Sequence, residues 1–191
     1  MEVDRSDLIR TLSDLVRINS INPVLVPGAP GEEEIARYVA TWLGDAGLEV
    51  LVDEPEAGRP SVAARLPGTG GGRSLMLNAH MDTVGVEGMA EPWSGAVRDG
   101  KLYGRGAYDM KGSLAACMAA AKVLAGQASR LRGDLVVAAV ADEEYGSIGT
   151  AGLLKRIRTD AAIVTEPTSL RVCRARTFAA AMQAARLPFM S

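Results

Sequence analysis

Apolar positions recur at helical spacing in two segments near the start of the chain. Over residues 6–19, leucine and valine residues return every three or four positions, which predicts an amphipathic helix. The same spacing over residues 31–47 predicts a second helix, with Gly47 suited to its C-terminal cap. Its first turn holds three glutamates, at residues 32–34, where the helix dipole favours negative charge. Each helix is expected to bury one apolar stripe.

Short apolar segments alternate with helical ones through the rest of the chain. Strands are predicted over residues 48–52, 61–66, 74–80, 101–104, 134–141 and 161–165, and helices over 110–124 and 148–157. Because strands alternate with helices and are themselves apolar, the pattern predicts an α/β fold. We expect a mostly parallel, doubly wound sheet with helices on both faces.

Composition and charge narrow the function classes. The 191 residues include 21 Lys and Arg and 23 Asp and Glu, which gives a net charge of −2, and only 4% are aromatic. A near-neutral chain with few aromatic residues favours neither nucleic acid nor an anionic membrane as a partner. The N-terminus shows no basic region followed by an apolar stretch, and no apolar segment is long enough to span a bilayer. The sequence therefore predicts a cytoplasmic protein.

Ionisable side chains follow four of the predicted strands. In chain order they are His80 and Asp82, Asp109, Glu143 and Glu144, and Glu166. Open α/β sheets bind their ligands in the crevice at the carboxyl ends of the strands, which is where these side chains are predicted to lie. The sequence thus predicts that they meet at one edge of the sheet.

Each of these residues alone has an ordinary structural interpretation. A histidine at a strand end can be a satisfied polar residue, Asp109 can cap a helix, and paired glutamates can be solvated. Together, converging carboxylates would repel one another unless a cation neutralised them. Carboxylate oxygens with one imidazole suit zinc, manganese or cobalt, and several carboxylates suit a pair of ions. A bound metal is therefore the favoured interpretation.

Two other site chemistries fit the sequence poorly. Ser147 in YGSIG is not a nucleophile elbow, because that motif needs glycine where Tyr145 stands. No other histidine is present to serve a serine nucleophile once His80 binds metal. The loop after the first strand lacks the GxGxxG pattern of nicotinamide-binding sheets, so no organic cofactor is predicted.

Four motifs in order make the sequence similar to a zinc-dependent metallopeptidase family. This family contains aminoacylase, acetylornithine deacetylase, succinyl-diaminopimelate desuccinylase and carboxypeptidase G. The matching segments are NAHMDTV at 78–84, PWSGAVRDGKLYGRGAYDMKG at 92–112, ADEEYGSIGT at 141–150 and TEPTS at 165–169. The resemblance implies a metal-dependent amidohydrolase, with the fold of the zinc-peptidase catalytic domain.

The resemblance also implies a role for each candidate residue. It makes His80 a ligand of the first metal, Asp82 its supporting carboxylate, Asp109 the bridging ligand, Glu143 the general base, Glu144 a ligand of the second metal and Glu166 the remaining carboxylate of the first. The implied substrates are small N-acyl amino acids or peptides, whose amide bond is hydrolysed. The implied metal is Zn2+, with Co2+ or Mn2+ as alternatives.

The sequence departs from the family in its number of histidines. The family's second metal takes another histidine from near the C-terminus, whereas His80 is the only histidine of this sequence. We therefore expect at most one tightly held ion where the family holds two. Impaired hydrolysis is expected, and the alternative is an inactive, truncated metal-binding fragment.

The end of the sequence leads to a further expectation about its domains. Residues 1–171 match the N-terminal part of the family's catalytic domain, while 172–191 form a divergent, alanine-rich tail. A truncation or frameshift is the hypothesis for this tail, and a natural short paralogue is the alternative. The family's inserted dimerisation domain has no counterpart here. An incomplete catalytic domain would expose a sheet edge through which chains could associate.

Overall fold

A computed structural model of the chain describes residues 2–127, 131–168 and 171. The expected tail at 172–191 lies outside these described residues. The helices are α1 (Arg5–Arg17), α2 (Glu33–Asp45), α3 (Lys111–Ala125) and α4 (Ile148–Arg156). The strands are β1 (Glu49–Asp53), β2 (Ser61–Leu66), β3 (Leu75–His80), β4 (Ala96–Arg98), β5 (Lys101–Tyr103), β6 (Leu135–Val140) and β7 (Ala161–Val164). All the helices predicted from periodicity are confirmed.

The main sheet of the described residues contains five strands in the order β1-β2-β6-β3-β7. Strand β3 pairs in parallel with both β6 and β7, whereas β2 is antiparallel to both β1 and β6. The α/β class is confirmed, but the sheet is mixed rather than mostly parallel. The loop 54–60 contains no crossover helix, and such a connection suits antiparallel neighbours.

Helices cover both faces of this sheet, as predicted. On one face, residues of α1, α2 and α3 share a single apolar core with alternate residues of β2 and β6. On the other face, Leu153 of α4 packs against the remaining residues of those strands. Strand β6 lies at the centre of the sheet and all six of its residues are buried. The uniformly apolar sequence of this strand is explained by its burial on both faces.

Asp4 caps the N-terminus of α1, and aspartate is one of the residues that favour this position. The carboxylate of Asp4 accepts hydrogen bonds from the backbone N–H of Ser6 at 2.8 Å and of Asp7 at 3.1 Å. These bonds satisfy donors that have no partner within the helix. At the other end, Nζ of the buried Lys111 donates to the carbonyl oxygens of Leu15 and Ile18 at 3.0 and 2.7 Å. Helix α1 is thereby tied to the start of α3.

A small hairpin of β4 and β5 lies before the candidate site. The sequence predicted only its second strand and left β4 in an irregular stretch. Asp99 and Gly100, with φ of 51° and 72°, form the two-residue connection. An Asp-Gly pair between short strands is a strong hairpin signal, because both turn positions require a positive φ. This signal was available in the sequence.

Strand β7 is an edge strand of the five-stranded sheet, and its Ile163 is 49% exposed. Association of chains through this edge stays a prediction. Among the described residues, none of the helices combines the length and the apolar character that crossing a membrane requires.

Candidate metal centre

The sheet topology brings the candidate residues to one edge. Strand β3 lies between β6 and β7 and is parallel to both, so their carboxyl ends point the same way. His80 is the last residue of β3, Glu143 follows β6 closely, and Glu166 follows β7. Asp109 comes from the loop that leads into α3. The expected convergence at a single sheet edge is therefore found in the structure.

His80, Asp109 and Glu166 form the tightest cluster. Nε2 of His80 lies 3.1 Å from Oδ1 of Asp109 and 3.9 Å from Oε2 of Glu166. One potential ligand atom from each of the three residues falls within 4.8 Å of the others. His80 is buried, Glu166 is nearly so, and the side chain of Asp109 is 51% exposed. The cluster thus opens to solvent on the side of Asp109.

Glu143 and Glu144 lie beside this cluster. Oε2 of Glu143 is 3.9 Å from Nε2 of His80, and its side chain is 8% exposed. Glu144 is not part of the three-residue ligand group, although its charge interacts with those of His80 and Asp109. The separate roles of Glu143 and Glu144 stay a prediction.

Asp82 is fully buried and contacts the site through its backbone and its carboxylate. Its carbonyl oxygen lies 2.9 Å from Nδ1 of His80, and its Oδ1 lies 3.5 Å from the same nitrogen. The carboxylate accepts the backbone N–H of Glu143 at 3.0 Å and of Glu144 at 3.1 Å. The two ring nitrogens of His80 thus face oxygen atoms of two different residues, Nδ1 that of Asp82 and Nε2 that of Asp109.

Burial and crowding shift the pKa values in this cluster. Burial raises the pKa of Glu144 and of Glu166 to about 7; His80 opposes the shift, and the neighbouring carboxylates add to it. Burial by itself would lower the pKa of His80, but hydrogen bonds with Asp109 and Asp82 hold it well above its usual value. The site therefore gathers more negative charge than its own imidazole can neutralise.

The donor set fits a divalent metal ion. Oε1 of Glu166 is buried without a hydrogen-bond partner among the described residues, although a buried carboxylate oxygen normally has one. One imidazole nitrogen and carboxylate oxygens from two further residues are the ligand types that zinc accepts. A cation would supply both the missing contact of Glu166 and the missing positive charge.

The loop that carries Asp109 approaches the strand end closely. Gly106 has a φ of 79°, and a Cβ atom there would lie 2.9 Å from Cγ2 of Thr83. Met110, rather than Asp109, occupies the N-cap position of α3, so the helix-capping interpretation of Asp109 is wrong. The Asp109–Met110 peptide bond is cis. Oδ1 of Asp109 lies within hydrogen-bond distance of Nε2 of His80.

A depression of about 570 Å3 adjoins the cluster. It is lined by Ala107, Tyr108, Gly112, Ser113, Thr165, Glu166, Pro167 and Thr168. Because Glu166 belongs both to the cluster and to this lining, a small molecule in the depression would lie next to the candidate metal ligands.

Sequence reasoning missed four buried polar residues behind the site, which are Asn22, Glu32, Arg59 and Asp142. The sequence predicts Glu32 only as a charge at a helix N-terminus. The hydrogen-bond partners of the Asn22 amide nitrogen and the Glu32 carboxylate lie 27 to 120 residues away in the chain, so local pattern carries no signal for them. For Asp142, the only signal in the sequence is its position directly before Glu143 and Glu144 in the ADEEYGSIGT motif.

The chain matches a family model over residues 76–178, more than half of its length. The model is that of Peptidase family M20/M25/M40. The chain belongs to this family, whose members are metal-dependent hydrolases. The family resemblance inferred from the four motifs is confirmed.

Individual relatives agree with this assignment. The chain is 32% identical over 179 residues to N-formyl-4-amino-5-aminomethyl-2-methylpyrimidine deformylase of Halalkalibacterium halodurans, covering 90% of this chain and 41% of that enzyme. It is 33% identical over 177 residues to acetylornithine deacetylase of Photorhabdus laumondii, covering 89% of this chain and 45% of that enzyme. The chain thus spans less than half the length of either relative.

A solved structure shows the same fold. The M20 family metallo-carboxypeptidase Sso-CP2 from Sulfolobus solfataricus superimposes with a TM-score of 0.72 and 23% sequence identity. The match covers 84% of this chain and 37% of that protein. At this identity the likeness establishes the fold, so the roles of the individual site residues depend on the geometry described above.

Proposed function

We propose that the chain carries the metal-binding part of a hydrolase that cleaves amide bonds in N-acyl amino acids or small peptides. The observation that carries this proposal is the cluster of His80, Asp109 and Glu166 at the carboxyl ends of parallel strands. Relatives with a related sequence act as a deacetylase and a deformylase, as their names state. Removal of a small acyl group from nitrogen is the reaction class that these names share.

The proposed ligands of the first ion are His80, Asp109 and Glu166, with zinc as the metal and cobalt or manganese as substitutes. Asp109, the more exposed carboxylate, and Glu144 are the residues that would hold a second ion. When bound, such an ion polarises a substrate carbonyl and lowers the pKa of water.

The remaining residues of the site move and hold protons. The carboxylate of Glu143, whose Oε2 lies 3.9 Å from Nε2 of His80, would accept a proton from the attacking water and deliver it to the leaving nitrogen. The backbone carbonyl of Asp82 would accept a hydrogen bond from Nδ1 of His80, which leaves Nε2 as the nitrogen that would hold the metal. The depression beside Glu166 would hold the substrate.

The proposal includes a reduced metal content. Because His80 is the only histidine in the sequence, the second site has only carboxylates available in this chain. We infer that residues 1–171 form the N-terminal part of a catalytic domain and that they hold one ion tightly. Hydrolysis by this chain is then slow, since poor positioning of reactants alone costs about a hundredfold or more in rate.

Metal titration and a hydrolysis assay test the proposal together. The purified chain is titrated with zinc by calorimetry and then assayed with cobalt, manganese and zinc on N-acetyl and N-formyl amino acids and on dipeptides. We expect about one ion per chain and slow turnover. Glu143→Gln should keep the ion and lose turnover, whereas His80→Ala should lose both. The surface variant Glu91→Gln is the matched control for Glu143→Gln and should keep both.

A second candidate function is metal binding without catalysis, which the single histidine favours. Zinc binding with no detectable hydrolysis on any substrate would support it over the first. Absence of zinc binding, or turnover that survives in Glu143→Gln, would overturn the proposed site.

A further inference from the structure

A buried polar network lies behind the metal centre. We call Asn22, Glu32, Arg59 and Asp142 the support network; all four residues are at most 5% exposed. Within the part of the chain that the structure describes, no hydrogen bond joins them to the three proposed ligands of the first ion. The network nevertheless reaches the site, because it holds the turn that follows β6.

Arg59 joins two carboxylates of this network. Its Nε and Nη2 donate to the two carboxylate oxygens of Glu32 at 2.6 and 2.8 Å. The same Nη2 donates to Oδ1 of Asp142 at 3.0 Å. This geometry uses the planar fork of a guanidinium, which a lysine ammonium does not offer.

Asp142 is held at both its backbone and its side chain. Its backbone N–H donates to Oε1 of Glu32 at 3.1 Å, while its Oδ2 accepts the backbone N–H of Gly146 at 3.1 Å. Its φ of 62° is in the left-handed region, which aspartate tolerates better than most residues. This conformation turns the chain, so that the next two backbone N–H groups point towards Asp82.

Asn22 connects the two carboxylates on which the turn depends. Its Nδ2 donates to Oδ2 of Asp82 at 2.8 Å and to Oδ1 of Asp142 at 3.0 Å. Asp82 in turn contacts the ring of His80. An unbroken set of hydrogen bonds therefore runs from Arg59 through Asp142 and Asn22 to Asp82.

We propose that Arg59 and Glu32 are positioning residues for the metal centre. They act through Asp142, whose fixed backbone directs two N–H groups at the carboxylate of Asp82. This inference rests on the proposed function, because the histidine that Asp82 orients is the proposed metal ligand. A buried ion pair is weak evidence that its residues stabilise the fold. Such groups are also used to select one conformation among alternatives, and this is the role that we assign to Arg59 and Glu32.

Removing Arg59 would leave the carboxylates of Glu32 and Asp142 buried side by side without their cation. Their repulsion would displace Asp142 and release the N–H groups of Glu143 and Glu144 from Asp82. A purely structural role would instead lower the stability of the whole sheet and leave the local turn no more mobile than its surroundings.

Amide hydrogen exchange by NMR on the metal-free chain separates these two roles. In Arg59→Met we expect the amides of Glu143 and Glu144 to exchange at least about tenfold faster, while those of β6 keep their protection. Zinc affinity, measured by calorimetry, should fall by about tenfold or more, as for other residues that orient metal ligands. Arg59→Lys should recover part of the amide protection and part of the zinc affinity, because lysine restores the positive charge but not the planar guanidinium.

Arg65→Met is the matched control. Arg65 lies in β2 and forms ion pairs at the surface with Glu49 and Asp134, at 3.5 and 3.3 Å. It should change neither the two amides nor the zinc affinity. If Arg59→Met does not fold, Glu32→Gln provides the same measurement, because it keeps the shape of the side chain and removes its charge.

The outcomes separate this inference from the proposed function. Unchanged exchange of the two amides, or equally faster exchange throughout β6, would overturn the positioning role even if the wild-type chain binds zinc. Failure of the wild-type chain to bind zinc would overturn the proposed function and, with it, a positioning role at a metal centre. Faster exchange confined to the two amides, together with weaker zinc binding, supports the inference.

Discussion

Asp82 contacts Nδ1 of His80 through its carbonyl oxygen at 2.9 Å, while its carboxylate accepts the N–H groups of the turn that carries Glu143. A single buried residue thus orients the imidazole and holds the candidate base. Hydrogen bonds from His80 and Asn22 keep the pKa of Asp82 low, against the opposing effect of burial. The carboxylate is therefore charged at neutral pH and accepts each of these bonds.

Asp82→Asn should weaken zinc binding by about 10–100-fold, the usual cost of losing an outer partner of a metal-binding histidine. The new amide group would face N–H donors and could not accept from all of them. Calorimetric titration with zinc measures the effect. Asp160→Asn is the control, since Asp160 also accepts a backbone N–H, from Ser74 at 2.7 Å, but lies at the opposite end of β3. Equal zinc affinity in the two variants would contradict the role of Asp82.

The close approach of the loop at Gly106 leads to a second prediction. Gly106→Ala should lower the free energy of unfolding by about 1–3 kcal/mol, because a side chain at positive φ is strained. The added methyl would also press on Thr83 and on Cδ of Lys111, at 2.9 and 3.0 Å. Urea unfolding measures this loss, and zinc titration should show weaker binding, since the loop carries Asp109.

Gly88→Ala is the control for that variant. Gly88 has a nearly equal φ of 78°, but a Cβ atom there would meet nothing within 4 Å. It should show the backbone strain without the contact, and zinc binding should be unchanged. A zinc affinity lowered equally in both variants would mean that the approach to Thr83 does not matter for the site.

The sequence predicted the strand ends of the site but not the direction of every strand. His80 ends a short apolar segment and Glu166 follows one, and this local feature of the chain predicts their positions at strand ends. The antiparallel pairing of β2 with β6 depends on contacts between segments about 70 residues apart, which periodicity does not record. The mixed sheet could therefore not be foreseen from local pattern.

The support network could not be predicted for a similar reason. Glu32 occupies a helix N-terminus, where a solvated glutamate is the ordinary expectation. It is buried only because Arg59, 27 residues later, reaches it from the loop before β2. Asp142 likewise has distant partners, since its backbone N–H donates to Glu32, 110 residues earlier in the chain.

Asp7 leads to a prediction of pH dependence. A hydrogen bond from Lys122 at 2.7 Å, which joins α1 to α3, lowers the pKa of Asp7 below its usual 3.8. A lowered acid pKa stabilises the fold above about pH 4, and this contribution is lost as pH falls through the folded-state value. Asp7→Asn should therefore reduce the free energy of unfolding by about 0.2–1 kcal/mol at pH 7, the range measured for exposed pairs.

Urea unfolding at pH 7 and near pH 2 measures this difference, which should vanish in acid. It should also shrink in 1 M sodium chloride, because salt screens an exposed pair. A difference between the variant and the wild type that is the same at both pH values would show that the carboxylate charge is not the cause.

Cys117 provides a measure of how α3 and β7 separate beside the site. Its Sγ is 3.9 Å from Oγ1 of Thr165, the neighbour of Glu166, and burial raises the pKa of its thiol. The chain has two cysteines, so a Cys173→Ser variant leaves a single thiol to follow. Alkylation by N-ethylmaleimide, followed by mass spectrometry, should be slow and should require local opening.

If the ion joins Asp109 to Glu166, zinc at a hundred times its Kd should slow alkylation of Cys117 by about a hundredfold, since local opening must then release the ion. His80→Ala should abolish this protection. An alkylation rate of Cys117 that zinc does not change would contradict a metal centre formed by the loop before α3 and the segment after β7.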